Sequence, residues 1–207
     1  MTHPLTIIVT SCDRFDLLER TLDSFFALNK YPYVAFHVHN DSLNPVPDFL
    51  KQKCISRNIT WHEGTKRGLS ASWDYLVNLV ETEYFLNLED DFEFFGNPNF
   101  IEESIKLLER FHQVWIRDES DHNHRIKHGF ENELCNRVVP NETWCGFTFN
   151  PSIRQLSRWK IWFPNGVTGK DEIDISRSLY PYYKAVSLKN SSIRHIGGGR
   201  HSNNFKI

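Results

Sequence analysis

In the first half of the chain, short apolar runs alternate with segments of helical period, and this alternation restricts the fold more than any other feature. Leu5 to Thr10 (LTIIVT) is a β-branched run of the kind that a strand buried on both faces requires. Phe15, Leu18, Leu22, Phe25 and Phe26 then recur at helical spacing. Tyr33 to Asn40 reads as a second strand, Phe49 to Ser56 as a short helix, Asn58 to His62 as a third strand and Ser70 to Val80 as a helix. Glu83 to Leu88 is the fourth strand. The order β-α-β-α-β-α-β predicts an open, mostly parallel α/β sheet. Ligands of such sheets lie beyond the carboxyl ends of the strands. Three of those ends are polar here: Ser11-Cys12-Asp13-Arg14, Asn40-Asp41 and Glu89-Asp90-Asp91.

The second half changes character. Phe100 to Val114 reads as a helix, Arg117 to Glu133 as a polar, histidine-rich loop or irregular hairpin, and Trp144 to Asn150 as an alternating strand. Ile153 to Trp162 and Glu172 to Tyr180 read as helices, and Tyr183 to Leu188 as a strand. At 207 residues there is room for one domain with a large core and not for two comfortable ones.

Composition excludes some functions. A formal charge of −2 supplies no basic field for nucleic acid. The segment MTHPLTIIVTSCDRF lacks a charged stretch ahead of a long apolar run, so no signal peptide is expected. No stretch approaches the roughly 18 apolar residues of a membrane span. Cys12, Cys54, Cys135 and Cys145 form no CxxC pair, and such scattered thiols suit a reducing, cytoplasmic setting.

Glu89, Asp90 and Asp91 sit between a buried run and Phe92, Phe94 and Phe95. Adjacent carboxylates repel and are expensive to bury without a partner. They form either a solvated acidic turn or a site for Mg²⁺ or Mn²⁺, which takes one or two carboxylates plus substrate phosphates. If the strand continues, Glu89 and Asp91 share a face and Asp90 takes the other. Gly197-Gly198-Gly199-Arg200-His201 is either a flexible tail or a backbone that approaches a diphosphate, with Arg200 pairing to it and His195 or His201 completing a metal shell. Asp171 and Glu172 open a helix, as favourable N-terminal charges or with one as a general base. His122, His124 and His128, beside Asp121, lack the cysteine or distant partner of a structural zinc site. Trp144, ahead of Cys145-Gly146, is either core or cleft lining.

Taken in order, IIVTSCDRFDLLERTLDSF, HND, RGLSASWD, LEDD, CGFTFNPS and DEIDIS resemble the motifs of GT-A glycosyltransferases of the family 2 type. The resemblance spans nearly the whole chain. It implies a single GT-A domain, with residues 1–95 as the nucleotide-sugar half and 96–207 as the acceptor half and closing loop. It also implies a nucleotide-sugar donor, usually a UDP-sugar, with Mn²⁺ or Mg²⁺, and inverting transfer of one sugar to a glycan hydroxyl. Thr10, Ser11, Asp13 and Arg14 would edge the uridine pocket, Asp41 would bond base or ribose, and Gly68 and Ser70 would lie near the nucleotide. LEDD takes the D-x-D position, with Glu89 near the ribose, Asp90 counted on the donor side and Asp91 on the metal. His195 or His201 resembles the later metal ligand, and Arg200 a diphosphate partner. Trp144 and Gly146 would fall on the acceptor side. Glu172 matches the family's catalytic Asp and Asp171 its preceding Glu, an exchange that leaves the base open between them. The QLSRW string precedes DEID, the reverse of the order in processive synthases, and is read as chance. A narrower resemblance, carried by SCDRFDLL and HIGGGRHS, is to glycosyltransferase domains that build viral capsid glycans. It implies a UDP-rhamnose donor, the host cytoplasm and further domains in a longer chain. Two rival classes are a nucleotidyltransferase, for which SCDRFD lacks the glycines and lysine of a triphosphate loop, and a non-catalytic nucleotide- or sugar-binding module.

Overall fold

A computed structural model describes residues 3–122, 126–140 and 144–198. The expected alternation is present: β1 (Leu5–Ser11), α1 (Phe15–Leu28), β2 (Ala35–Asn40), α2 (Asp48–Ser56), β3 (Thr60–Glu63), α3 (Leu69–Val77) and β4 (Tyr84–Glu89). Then come β5 (Phe92–Phe94), α4 (Phe100–Leu107), β6 (Gln113–Trp115), a 3-10 turn (Glu119–Asp121), β7 (Lys127–Phe130) and β8 (Cys135–Val139). The remaining elements are β9 (Ser152–Gln155), α5 (Leu156–Trp162), α6 (Glu172–Leu179), β10 (Ala185–Leu188) and β11 (Ile193–His195).

Among the described residues, nine strands form one sheet in the order β3-β2-β1-β4-β9-β6-β10-β8-β7, while β5 and β11 pair separately. The β3-β2-β1-β4 half is parallel throughout. Strand β9 is antiparallel to β4 and β6, and β8 to β10 and β7, so these two run against the rest.

Strand parity decides which helices each side chain meets. Leu5, Ile7, Val9, Leu86 and Leu88 pack with Leu18, Leu22 and Phe25 of α1, Leu50 of α2 and Phe100 of α4. Ile8 and Phe85 face the other way, into a layer built from Trp73 of α3, Trp159 of α5 and Ile175 of α6. The result is a three-layer arrangement with α1, α2 and α4 on one face and α3, α5 and α6 on the other.

The second half departs from the periodicity reading. Helix α4 stops at Leu107, and Gln113–Trp115 is a strand instead of the last helical turn. Phe111 and Val114 fit either period, and pairing with β9 and β10 selects the strand. Cys145 to Asn150 carries no strand: Gly146 adopts φ +97, and buried side chains hold the segment in an irregular path. Ser152–Gln155 is strand β9 before α5 begins. Within 117–133 lie the 3-10 turn and β7, which pairs with β8. No helix among the described residues is long and apolar enough to cross a membrane.

Candidate active site

Strand β4 ends at Glu89, and Asp90 and Asp91 form the tight turn into β5. The turn sends the acids three ways. Asp90 is fully buried beneath the β1–α1 loop, where its Oδ2 accepts hydrogen bonds from Ser11 Oγ (2.9 Å) and the Cys12 amide (3.0 Å). Arg14 donates to Asp90 Oδ1 and to Asp91 Oδ2, the latter at 2.5 Å. Burial pushes Asp90 up to about 6 in spite of Arg14. Expected on the donor side, the Asp90 carboxylate anchors the loop that carries Ser11 and Arg14.

Asp91 also meets His195 of β11, whose Nε2 lies 3.0 Å from Oδ2. Burial raises its carboxyl, but the hydrogen bonds and charges of His195 and Arg14 outweigh that effect and hold it below its ordinary value. Asp121 holds the other end of His195, accepting from its backbone N–H at 2.5 Å and from Arg117 Nε at 3.0 Å. Glu89 shares the sheet face of Phe85 and Asn87 and is raised well above the usual range by burial and by the charges of Asp91 and Glu172.

The other strand ends supply the rest of the floor. Asp41, after β2, accepts from the amides of Arg67 (2.7 Å) and Gly68 (2.6 Å) and so fixes the entry to α3. Gly68 itself has φ +89, a conformation that favours glycine. Asp13 is exposed and accepts from Ser42 Oγ and from Asn44 Nδ2 at 2.8 Å. Thr10 is nearly buried beside Glu89, its register partner on β4.

Glu172 arrives from the other half of the chain at the first turn of α6. Its Oε1 accepts from Thr148 Oγ1 (2.8 Å) and the Phe149 amide (2.5 Å). Among the described residues no hydrogen bond is made to Oε2. Burial raises its carboxyl above the usual range, although both hydrogen bonds and the charge of Arg154 oppose the shift. Asp171 is exposed and caps α6, its Oδ1 accepting from the Asp174 amide at 2.8 Å. The loop before α6 is tied to α3: Asp74 accepts from the amides of Val167 (2.8 Å) and Thr168 (2.6 Å), and Ser70 Oγ from that of Gly169 (3.1 Å).

No protein-family model matches the chain, and no curated protein is similar to it in sequence. Solved structures are similar in fold. A mannosyltransferase from Pyrobaculum calidifontis, in complex with GDP-Man and Mn²⁺, has a TM-score of 0.70 at 13% identity, over 97% of this chain and 59% of that one. TarS of S. aureus in complex with UDP gives 0.60 at 13%, over 94% and 60%. GalNAc-T7 with UDP, GalNAc and Mn²⁺ gives 0.65 at 11%, over 94% and 43%.

The chain has the GT-A fold.

Each of these proteins is longer, and the GT-A chain spans 59%, 60% and 43% of them respectively. In the GT-A frame the LEDD turn stands at the end of β4, between the two halves of the sheet. The residues around it fit a divalent cation in part. Asp91 and His195 bring a carboxylate oxygen and an imidazole nitrogen together, and the gap beside them exists because residue 197 is glycine: a Cβ there would strike Asp91 Oδ2 and come within 2.7 Å of His195 Nε2. Among the described residues no group of three His, Cys, Asp or Glu side chains could hold a metal ion, so substrate oxygens would have to complete the shell.

Other expected residues fare differently. Arg200, His201 and His124 lie outside the described residues. Gly146 is buried, and a Cβ on it would sit 3.1 Å from Ala185 Cβ and 3.3 Å from Val138 Cγ1, so close packing favours glycine there. Trp144 packs on Trp115 and donates to the Phe147 carbonyl at 2.7 Å, half-buried. His122 and His128 stack with ring nitrogens 3.0 Å apart. Sequence reasoning gave no role to Thr148 and Asp74, which stand inside the quoted CGFTFNPS and RGLSASWD strings, nor to Arg117, for which no motif gives a signal, and it named Asp121 only beside the histidine cluster.

Proposed function

We propose that this chain transfers a single sugar from a nucleoside diphosphate donor, a UDP-sugar, to a hydroxyl of a glycan acceptor, with inversion at the anomeric carbon. One observation carries the reading: Glu172, from the far half of the GT-A fold, is near enough to Glu89 for its charge, with that of Asp91, to help raise the Glu89 carboxyl. The partners bound in the similar folds, GDP-Man, UDP and Mn²⁺, support a nucleotide-sugar donor.

In this mechanism Thr10, Ser11, Asp13 and Arg14 border the nucleoside, while Asp41 positions the Arg67–Gly68 backbone and the start of α3 beside it. Glu89 takes the ribose side as the D-x-D residue that is Glu instead of Asp. Asp91 and His195 would hold Mn²⁺ or Mg²⁺, which supplies positive charge for the departing diphosphate. Glu172 is the base. With Oε1 occupied by Thr148 and Phe149, Oε2 is the oxygen that takes the acceptor hydroxyl's proton, and a raised carboxyl is better matched to that task near neutral pH. Asp171 serves as the helix cap. Trp144 borders the acceptor. The capsid-glycan and UDP-rhamnose reading rests on the strings SCDRFDLL and HIGGGRHS alone, and part of the second lies outside the described residues.

The test is release of nucleoside diphosphate from a panel of nucleotide sugars with Mn²⁺, with and without chelator, in the presence of glycan acceptors. Chelator-sensitive release from a UDP-sugar with sugar appearing on the acceptor is expected. Tight donor binding with no release would make the chain a binding module, and pyrophosphate from a nucleoside triphosphate would make it a nucleotidyltransferase.

A further inference from the structure

Arg154 is a charge buried in the core without an ion pair among the described residues. It is 1% exposed, lies on β9 opposite Phe85 of β4, and its guanidinium carbon is 4.8 Å from the Trp73 ring and 5.6 Å from those of Phe147 and Trp159. Its Nε has no hydrogen-bond partner. Burying a charge this way costs several kcal/mol unless something else in the structure compensates. Burial lowers the guanidinium to about 10, which leaves it charged at neutral pH.

What Arg154 does hold is the segment that grips Glu172. It donates to Asn87 Oδ1 and to the Thr148 carbonyl. Gln113 Nε2 donates to the same carbonyl at 2.9 Å, and Asn87 Nδ2 donates to the carbonyls of Phe149 (2.8 Å) and Asn150 (3.0 Å). Tyr183 Oη braces Gln113 Oε1 at 3.1 Å. At the outer end of this network, Thr148 and Phe149 bond Glu172 Oε1. Among the described residues, the charged groups facing Glu172 are Glu89 from β4, Asp171 from its own helix start and Arg154 from β9, and Arg154 is the cation of these three.

Resting on the reading of Glu172 as the base, we propose that Arg154 is a positioning residue for it: through Asn87 and the Thr148 carbonyl it fixes the turn that receives Oε1, and its buried positive charge is the counter-charge the carboxylate faces across that turn. Such a role accounts for a full charge kept in an aromatic layer where a methionine or leucine would pack.

The experiment reads Glu172 directly, by carboxyl ¹³C NMR titration of the free chain, with the resonance assigned by its loss in Glu172→Gln. In Arg154→Met the titration midpoint of Glu172 is expected to rise by about one unit, whereas Arg154→Lys, which keeps the charge, leaves it in place. In a transfer assay the same change lowers the Arg154→Met rate by up to about tenfold at pH values below the Glu172 midpoint, with a smaller loss above it. If Arg154→Met does not fold, Arg154→Gln, which keeps side-chain N–H donors and removes the charge, is expected to raise the midpoint in the same sense. An unchanged midpoint in the folded variant overturns the proposal whatever happens to activity. A shifted midpoint in a chain that transfers no sugar leaves the coupling standing and removes the catalytic reading instead.

Discussion

At the scale of single residues, the two oxygens of Glu172 have different surroundings, and that asymmetry defines its expected behaviour. Glu172→Gln keeps the shape and one hydrogen-bonding oxygen but cannot take a proton. It should lower kcat by about 10²- to 10⁴-fold while calorimetry shows unchanged donor affinity; transfer at the wild-type rate would place the base elsewhere. Asp91→Asn should abolish the Mn²⁺ dependence of donor binding in the same calorimetric measurement. Arg14 is the counter-charge of the fully buried Asp90. Arg14→Met leaves that carboxylate uncompensated and should reduce stability by about 3–5 kcal/mol, read as a lowered urea midpoint. Glu93, three residues beyond Asp90, belongs to the frame and not to the site: it pairs with Arg20 of α1 at 3.2 Å and Arg194 of β11 at 2.6 Å.

At the scale of elements, α3 acts as the dock for the loop that leads into α6. Gly166 has φ +73, and a Cβ on it would come within 2.5 Å of Asp74 Oδ2, so the chain there is pressed against α3. Asp74→Ala should release the amides of Val167 and Thr168, detected as their loss of hydrogen-exchange protection, and should lower stability by about 1–2 kcal/mol. The Asp74 change should reduce kcat more than donor affinity, since the loop carries Glu172 and not the nucleotide floor. Much of the element order was legible because β1 and most of β4 are buried on both faces and read as near-continuous apolar runs, while the part-exposed edge strand β3 was placed by the alternation around it. The boundaries at β6 and β9 were not, because Phe111, Val114 and Ile153 satisfy either period and only their sheet partners select one. Cys145–Asn150 was misread for a related cause: its alternating apolar residues are buried as a strand's would be, but side chains from β4, β6 and β9 satisfy its backbone in place of a ladder.

For the whole molecule, acid is the expected weakness. His37, His39 and His62 lie between the sheet and α3, with His37 and His62 3.2 Å apart and the Tyr75 hydroxyl 2.9 Å from His62. Burial lowers all three below the usual imidazole value, with Asp41 and Glu63 raising and Arg67 lowering His39, and the other two histidines lowering His62. The sign follows: the unfolded chain takes up protons near pH 6.5 where the folded chain resists them, so stability is full above that pH and falls as pH drops below it. The urea midpoint should fall between pH 7.5 and 5, and His37→Asn combined with His62→Asn should flatten that fall. An equally steep fall in the double variant would place the acid sensitivity elsewhere.

The sequence by itself determined the layered α/β fold and the polar ends of β1, β2 and β4, because burial periodicity and strand ends are local properties that a single chain displays. It also marked Glu172, Asp91 and His195 as residues to watch. Only the tertiary structure decided what the three neighbouring acids do, since a turn at Asp90 sends them to different partners and strand parity cannot show that. The same holds for Arg154, Thr148 and Asp74. Their roles come from groups brought together across the sheet, as when Asp74 meets Val167, and a contact made over such a sequence distance leaves no local pattern to read.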